Sequence, residues 1–332
     1  MKKGFVLVTV LLLLISFGSS NVFAADMPDE KGEVLAFTGD QHGEGDTYRE
    51  WIETMKTVYG DDLVLLTYIG DICDKNWDPQ TFESFKNTLD ELMPGRYNVT
   101  TGNQEFKKGA PGPAWDDLGE GFTRIGEAIR TDNYIVYNLG SADEKMVIPE
   151  EDLGKLDAYL SDVPDTIPVF IAAHYPLHLS VQTDAHEIPG PDGYRQLKGN
   201  GKLLEILNRH PNVIFLWGHN HTFQDPRYGT ILTAGSAFTY DITDTTARTE
   251  IGFTYANYGS FCRTDTYGLI AEVVPSEEEI QVKLYYVDAD VPDASRDSAV
   301  IHYAKDGTVT AEVTAGTGIN EEDILAMSGY SE

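Results

Sequence analysis

The sequence predicts one large α/β domain that ends in a β-rich segment. Apolar runs of strand length alternate with patterns of helical spacing through the front and middle of the chain. Strand patterns then predominate in the last third, and neither an internal repeat nor a linker divides the chain. The 332 residues are 41% hydrophobic, so the chain can bury a substantial core.

The chain begins with a pattern that is typical of a secretory signal peptide. Lys2 and Lys3 precede an apolar block at residues 5–17, which is too short to span a membrane, and small residues follow it. We expect cleavage after residues 1–25, with an uncleaved anchor as the alternative. The mature protein is then predicted to be secreted, or periplasmic in a cell with an outer membrane, and to have no membrane span.

The charge balance argues against one class of partner. The formal net charge is −30, and such a surface repels nucleic acids and anionic lipids at long range. A binder of nucleic-acid polymers is therefore not expected, whereas an enzyme that cleaves small nucleotides is compatible with this charge. The acidic surface also favours solubility in an extracellular medium.

The front of the domain predicts a strand-helix-strand-helix-strand order. These five elements lie at residues 33–40, 46–60, 62–71, 78–92 and 96–103. In the first helix, Thr47 and Glu50 have the spacing of a capping box. In the second helix, Asp78 is the predicted N-cap and Pro79 occupies the first helical position.

The rest of the chain continues the alternation and then becomes mostly β. Further helices are predicted at 122–129, 149–162 and 202–210. Further strands are predicted at 133–139, 167–174, 212–217, 229–238, 267–274 and 280–288. Long loops separate these elements at 104–118 and 178–200. A hairpin around Asp306 and a short helix at 320–327 complete the chain, so we predict a main domain at 26–290 and a C-terminal extension at 291–332.

Polar side chains that can bind metal follow five of the predicted strands. They are Asp40, His42, Asp71, Asp74, Asn103, His174, His219 and His221. Ligands of open α/β sheets bind beyond the carboxyl ends of the strands, and five such clusters at one edge favour a metal site. Carboxylates with imidazoles suit Zn²⁺, Mn²⁺, Fe or Co better than Ca²⁺. One shared carboxylate would join two ions roughly 3.5–4 Å apart, an arrangement that hydrolyses phosphoesters.

The same residues resemble the motifs of the calcineurin-like metallophosphoesterases. The motifs appear in the order Asp40-Gln41-His42, Gly70-Asp71-Ile72-Cys73-Asp74, Gly102-Asn103-Gln104-Glu105, His174 and Gly218-His219-Asn220-His221. The resemblance covers most of residues 33–240. It implies a four-layer α/β/β/α sandwich, in which two facing mixed β-sheets are flanked by helices. It also implies hydrolysis of a phosphomonoester or phosphodiester by water that two metal ions activate.

The resemblance further implies a role for each polar residue. It divides the ligands into two sets with a bridge, namely Asp40, His42 and His221 for one ion, Asn103, His174 and His219 for the other, and Asp71 between them. Asp74 would support the site without binding metal, and Asn103 would also contact the substrate. The cofactors are predicted to be two divalent or trivalent ions of Mn, Fe or Zn.

One position departs from the family pattern. The family has a histidine near the leaving group or the attacking water where this chain has Gln104, and an amide cannot donate a catalytic proton near pH 7. Three explanations follow in order of preference. The substrate has a good leaving group; another residue, His178 or His186, supplies the proton; or the domain binds its metals and hydrolyses slowly. Gln104 and His178 are therefore the candidate catalytic residues.

Two pairs of residues have open roles. Lys107 and Lys108 follow the third motif and are candidate contacts of a substrate phosphate, although exposed lysines usually serve solubility. Cys73 and Cys262 form either a disulfide or two buried thiols, because sequence separation does not determine the distance between them.

Taken together, the sequence predicts an exported, metal-dependent phosphoester hydrolase with a small phosphorylated substrate. The alternative is an exported metal- or phosphate-binding protein with an impaired catalytic site, and the residue that motivates it is Gln104. The oligomeric state is left open by the sequence.

Overall fold

The computed structural model describes residues 32–43, 45–74, 77–109, 121–140, 147–177, 197, 201–219, 231–239, 248–262, 267–288 and 297–314. The predicted signal peptide at 1–25, the predicted helix at 320–327 and all of the predicted loop 178–200 except Leu197 lie outside these ranges. Within them, none of the helices has the length and apolar character that crossing a membrane requires.

The described residues form sixteen strands and four α-helices. In chain order, the strands are β1 Glu33–Thr38, β2 Leu63–Ile69, β3 Tyr97–Thr100, β4 Ala128–Arg130, β5 Ile135–Asn138, β6 Val169–Ala172, β7 Val213–Trp217, β8 Ile231–Leu232, β9 Ala237–Thr239, β10 Arg248–Glu250, β11 Thr254–Asn257, β12 Gly259–Ser260, β13 Tyr267–Pro275, β14 Glu279–Asp288, β15 Ser298–Ala304 and β16 Val309–Thr314. The helices are α1 Gly45–Tyr59, α2 Pro79–Leu92, α3 Glu150–Ser161 and α4 Gly201–Leu207. Short 3₁₀-helices lie at Gly60–Asp62 and Gln104–Gly109.

Most of these strands belong to two mixed sheets. The first sheet has the order β16-β15-β14-β13-β1-β2-β3, with β12 beside β13. Strands β1, β2 and β3 are parallel, and β13 is antiparallel to β1. The second sheet has the order β4-β5-β6-β7-β11-β8, and its four central strands are parallel. Strands β9 and β10 form a separate pair.

The two sheets face each other across a shared apolar core. Phe37 of β1 and Phe170 of β6 stack between them, with ring centroids 5.0 Å apart. Successive strand residues point to opposite faces, so their neighbours face the helices. Val34 and Ala36 pack in the core beneath α1 and α2, and the second sheet packs in the same way against α3 and α4. The predicted four-layer α/β/β/α sandwich is therefore confirmed.

The second helix begins as its sequence predicts. The Asp78 side chain accepts hydrogen bonds from the backbone N–H groups of Gln80 and Thr81, and Pro79 is the first helical residue. These bonds satisfy donors that the first turn of a helix leaves without partners. The apolar face packs against the first sheet through Phe82, Phe85, Leu89 and Leu92.

The helix predicted at 122–129 is wrong. Gly126 adopts a φ of +86°, a left-handed conformation that interrupts a helix, and its N–H donates to the Asn138 carbonyl at 2.9 Å. The residues after it form β4, which pairs antiparallel with β5. Periodicity alone does not separate a short helix from a short strand, and the neighbouring strand decides between them here.

Other elements also differ from their predictions. Helix α1 begins at Gly45, so Thr47 lies inside the first turn and the predicted capping box is wrong. The strand predicted at 229–238 is divided into β8 and β9 by a turn in which Gly235 has a φ of +87°. Strands β10, β11 and β12 were not predicted, and of these β11 lies between β7 and β8. The loop predicted at 104–118 begins with the 3₁₀-helix Gln104–Gly109, and its residues 110–118 lie outside the description.

Both cysteines are buried free thiols. Burial, reinforced by the nearby Glu105 carboxylate, raises the pKa of the Cys73 thiol to about 12. The thiolate is the reactive form of cysteine, so Cys73 is unreactive at neutral pH. Of the two alternatives for the cysteine pair, the structure has the free thiols.

Candidate metal centre

Five strand ends bring the predicted ligands together. In the order β1, β2, β3, β6 and β7, the residues that follow the strands are Asp40 with His42, Asp71, Asn103, His174, and His219. Within each sheet these strands are parallel, so their carboxyl ends lie at the same edge. Because the two sheets face each other, ligands from both edges meet at one place.

The ligands form two groups that share Asp71. In the first group, His42 Nε2 lies 4.0 Å from Asp40 Oδ1 and 3.6 Å from Asp71 Oδ2. In the second group, His174 Nε2 lies 3.3 Å from Asp71 Oδ1 and 3.1 Å from His219 Nδ1. Within each group, the three ligand atoms all lie within 4.8 Å of one another. Asp71 therefore stands where a bridging carboxylate would stand.

Asn103 faces the second group. Its Oδ1 lies 3.1 Å from His174 Nε2, so Asn103, His174 and His219 are neighbours, as the set predicted for one ion requires. Asp40 and His42 form the first group with Asp71, and Asp40 Oδ2 also accepts the His219 backbone N–H at 3.0 Å. These positions suit the predicted sets, while the metal-binding roles themselves stay predictions.

Gln104 and Asp74 lie next to the ligands. Gln104 is buried, and its backbone N–H donates to Asp71 Oδ1 at 2.8 Å. Asp74 is exposed, and its Oδ1 lies 3.9 Å from His42 Nδ1, which is beyond hydrogen-bond distance. Gln104 therefore orients the shared carboxylate through its backbone, independently of its side-chain chemistry.

Four other predicted residues add little to the described geometry. Lys107 is half-buried in the 3₁₀-helix after Asn103, and Lys108 belongs to the same helix, although its side chain lies outside the description. His178, the candidate acid, and His221, the third residue predicted for the first ion, lie outside the described residues. Their roles stay predictions.

Backbone strain coincides with the predicted ligands. Among the described non-glycine residues, those with positive φ are Asp40, His42, Asp71 and His219, at 55°, 50°, 57° and 71°. Each such conformation costs on the order of 1 kcal/mol or more and persists only where its surroundings hold it. Strain of this kind concentrates at functional sites, which agrees with a role for this edge in ligand binding.

Glu105 belongs to the third motif, and no role was predicted for it. Its buried carboxylate joins the loops after β2 and β3. Oε1 accepts from the backbone N–H groups of Ile72 at 2.8 Å and Cys73 at 3.1 Å, and Oε2 accepts from Asp71 at 3.2 Å and Gly102 at 2.8 Å. Burial, together with the Asp71 charge, raises the pKa of Glu105 to about 7. Glu105 therefore positions the loop that carries Asp71.

Tyr258 lies at the candidate site although no prediction placed it there. It directly follows the unpredicted strand β11, and its hydroxyl group lies 3.0 Å from Asp40 Oδ2 and 3.1 Å from His174 Nδ1. The stretch TYANYGSF at residues 254–261 carries no metal-binding motif. Aromatic residues of this kind are ordinary in protein cores, so the sequence offered no signal for this contact.

The electrostatics of the centre favour a cation. Burial alone would raise the pKa of Asp71, but the imidazoles of His174 and His219 hold it well below its usual value. Burial alone would lower the pKa of His174, and the Asp71 carboxylate overrides burial and raises it to about 9. Burial lowers the pKa of His219 to about 4, which keeps that imidazole neutral and able to bind metal.

The donor set fits a metal ion. His174 Nδ1 lies 3.1 Å from the Ile69 carbonyl oxygen, which only accepts, so Nδ1 carries a proton. Nε2 faces Asp71 and Asn103 and would release its own proton when a metal ion binds. Asp71 Oδ2 and His219 Nε2 are buried and make no hydrogen bond within the described part of the chain. Buried polar atoms without partners are unfavourable, and a bound cation would supply a partner for them. Carboxylate, amide and imidazole donors suit Mn, Fe or Zn.

The fold and the clustered carboxylates and imidazoles define an α/β protein with a metal-binding site at the carboxyl ends of its strands. The model of the calcineurin-like phosphoesterase family matches residues 34–223, which is more than half of the 332-residue chain. The chain therefore belongs to the calcineurin-like phosphoesterase family. No curated protein matches the chain significantly.

Solved structures are similar to this chain at low sequence identity. TT1561 of Thermus thermophilus is 12% identical with a TM-score of 0.43, and 85% of this chain and 98% of that one are covered. A 5′-nucleotidase precursor from the same organism is 12% identical with a TM-score of 0.41, and the match covers 85% of this chain and 54% of that one. A phosphatase from Mycoplasma pneumoniae is 13% identical with a TM-score of 0.33, and the match covers 86% of this chain and 95% of that one.

Proposed function

We propose that this protein is an exported phosphoester hydrolase that uses two metal ions to cleave a small phosphorylated substrate. The sharing of Asp71 by two ligand groups carries the proposal. The proposed ligands of one ion are Asp40, His42, Asp71 and His221, and those of the other are Asp71, Asn103, His174 and His219. Family membership supports the phosphoester chemistry, and the pattern of residues 1–25 supports export.

The chain's own residues would orient the reacting groups. When bound, the ions supply a Lewis acid that polarises the phosphate and lowers the pKa of water for in-line attack. The Gln104 N–H and the Glu105 carboxylate hold the shared Asp71 and its loop in place. Lys107 and Lys108, in an otherwise acidic chain, are the proposed cationic contacts of the substrate phosphate, together with the amide of Asn103.

Gln104 restricts the substrates that the proposed site can cleave quickly. Its amide cannot transfer a proton near neutral pH, and its buried Oε1 accepts no hydrogen bond within the described part of the chain. A leaving group that departs as a stable anion needs no acid. We therefore propose a substrate with a good leaving group, in preference to proton donation by His178.

Hydrolysis by the purified protein should depend on metal. With added Mn²⁺ or Zn²⁺, we expect cleavage of nitrophenyl phosphate or bis(nitrophenyl) phosphate, measured as release of nitrophenolate. Treatment with a chelator should abolish the activity, and adding the metal back should restore it. Activity that survives complete removal of metal would contradict the proposal.

Replacing Gln104 by histidine should change how the rate depends on the leaving group. A series of aryl phosphates with leaving-group pKa values from about 5 to 10 measures that dependence. A positioned general acid contributes roughly 10²–10⁴-fold, so Gln104→His should raise kcat/KM about 100-fold for the poorest leaving group and much less for the best one. Gln104→Met is the matched control, because it retains the size but supplies no acid.

The same series distinguishes the second candidate function, a metal- or phosphate-binding protein, which Gln104 also motivates. If the native protein binds metal and phosphate but hydrolyses none of the esters, while Gln104→His hydrolyses them, the binding function is favoured. If the native rates already vary little with the leaving group, a native acid operates, and His178→Ala should then steepen the dependence.

A further inference from the structure

Tyr258 stands outside the matched family region but inside the candidate metal centre. The family model ends at residue 223, and Tyr258 follows β11 of the second sheet. Its side chain is fully buried. The ring extends from the second sheet to residues that follow β1 and end β2 in the first sheet, where its hydroxyl group contacts Asp40 and the Ile69 carbonyl.

The Tyr258 hydroxyl group touches both ligand groups. It lies 3.0 Å from Asp40 Oδ2, in the first group, and 3.1 Å from His174 Nδ1, in the second group. It also lies 2.9 Å from the Ile69 carbonyl oxygen. Besides the shared Asp71, the His219 N–H donates directly to Asp40 Oδ2 at 3.0 Å, and the Tyr258 hydroxyl group adds a side-chain connection from Asp40 to His174.

The proton positions follow from the chemistry of the partners. His174 Nδ1 carries a proton, because the Ile69 carbonyl 3.1 Å away can only accept. The Tyr258 oxygen can therefore accept from Nδ1–H. Its single O–H proton then goes to the stronger acceptor, and a carboxylate such as Asp40 is stronger than a backbone carbonyl. The chain of bonds runs from His174 through Tyr258 to Asp40.

Two glycines make room for the ring. A Cβ on Gly218 would lie 2.3 Å from Tyr258 Cζ, and a Cβ on Gly39 would lie 2.8 Å from Tyr258 Cε2. Both distances are far below van der Waals contact. These glycines directly precede His219 and Asp40, so the backbone beside one ligand of each group packs against the same ring.

We propose that Tyr258 is a positioning residue that holds one ligand of each metal group in a single hydrogen-bonded unit. This inference rests on the proposed function, because it assumes that the two groups bind metal. The bond from His174 Nδ1 would hold that ring with Nε2 available to one ion. The bond to Asp40, together with the His219 N–H, would orient that carboxylate for the other ion. Partners of this kind typically change metal affinity by about 10–100-fold.

The test compares Tyr258→Phe with Tyr255→Phe in the full protein. The Tyr255 hydroxyl group accepts the Leu177 N–H at 3.0 Å, so this control also removes a buried hydrogen bond from β11. Titration of the metal-free proteins with Zn²⁺ or Mn²⁺ measures both binding steps, and the visible spectrum of the Co²⁺-loaded proteins reports ligand geometry. We expect Tyr258→Phe to weaken both steps by about 10–100-fold and to change the Co²⁺ spectrum, while Tyr255→Phe changes neither.

Several outcomes would overturn the inference. Native affinities in Tyr258→Phe, a loss confined to one binding step, or equal losses in both variants would each show that the hydroxyl group does not connect the two groups. If the native protein binds none of these metals, the proposed function fails first and the assignment to Tyr258 fails with it. Native metal binding with normal binding by Tyr258→Phe would leave the proposed function intact and refute only this inference.

A measurement on the native protein keeps the inference testable if Tyr258→Phe does not fold. In the Zn²⁺-loaded protein, ¹⁵N NMR of the histidine rings should show His174 with a proton on Nδ1 that exchanges slowly with solvent. The signal is assigned by its absence in His174→Ala. A His174 ring with its proton on Nε2 would contradict the proposed chain of bonds.

Discussion

Asp71→Asn should abolish metal-dependent hydrolysis and empty both metal sites. The carboxylate is the one residue that both ligand groups contain, so its charge is lost from the two sites at once. Asparagine retains an oxygen that can accept the Gln104 N–H, which lies 2.8 Å from Asp71 Oδ1, so the fold should survive. Loss of even an outer partner costs about 10–100-fold in affinity, and we expect at least the upper value here.

Metal content after dialysis and titration with Mn²⁺ or Zn²⁺ measures this effect. Asp61→Asn is the matched control, because the same change is made at an exposed carboxylate in the 3₁₀-helix that precedes β2, whereas Asp71 follows β2. It should leave binding nearly unchanged. His219→Ala should weaken mainly one of the two binding steps. If Asp71→Asn also weakened one step only, the carboxylate would not be shared.

Gly102→Ala should destabilise the protein and disrupt the metal centre together. A Cβ at this position would lie 2.3 Å from Asp71 Oδ1, 2.6 Å from the Asp71 backbone nitrogen and 2.8 Å from His174 Cε1. The backbone nitrogen cannot rotate away as a side chain can, because the Glu105 carboxylate also fixes this loop. Overpacking of this kind typically costs 1–3 kcal/mol, and we expect about 3 kcal/mol with weaker metal binding.

Urea unfolding of the metal-free protein measures the change in the free energy of unfolding. Gly154→Ala provides the control, since Gly154 is exposed in helix α3 and an added Cβ would meet nothing within 4 Å. That variant should gain about 0.5–1 kcal/mol, because alanine loses less backbone entropy in a helix. Equal effects of the two substitutions would refute the steric argument at Gly102.

Much of the fold could be predicted because it depends on local patterns. The apolar run at Val213–Trp217 and the cap at Asp78 each specify an element through neighbouring residues alone. The wrong helix at 122–129 and the missed strand β11 are short segments whose structure depends on a partner strand. Residues 128–130 are held by β5, and β11 is held by β7 and β8. A short segment has too few residues for the spacing of its apolar side chains to distinguish a helix from a strand.

At the candidate site, too, residues that local patterns specify could be predicted, and residues that depend on distant contacts could not. Asp40, Asp71 and His174 could be selected because polar residues that follow apolar strands are visible in the sequence. Tyr258 could not be selected, because its contact with Asp40 crosses from the second sheet to the first over a separation of 218 residues, and its contact with His174 joins the ends of two strands 84 residues apart. Nothing local to residues 254–261 encodes those contacts.

The sequence by itself determined which chemical groups stand at the strand ends, since the end of an apolar run is a local property of the chain. It also determined the departure at Gln104 and the acidic character of the surface. Only the tertiary structure decided that Asp71 lies between the two groups, that Glu105 holds its loop and that Tyr258 joins Asp40 to His174. The physical reason is that these contacts exist only after separate parts of the chain have paired as strands within each sheet and the two sheets have packed face to face.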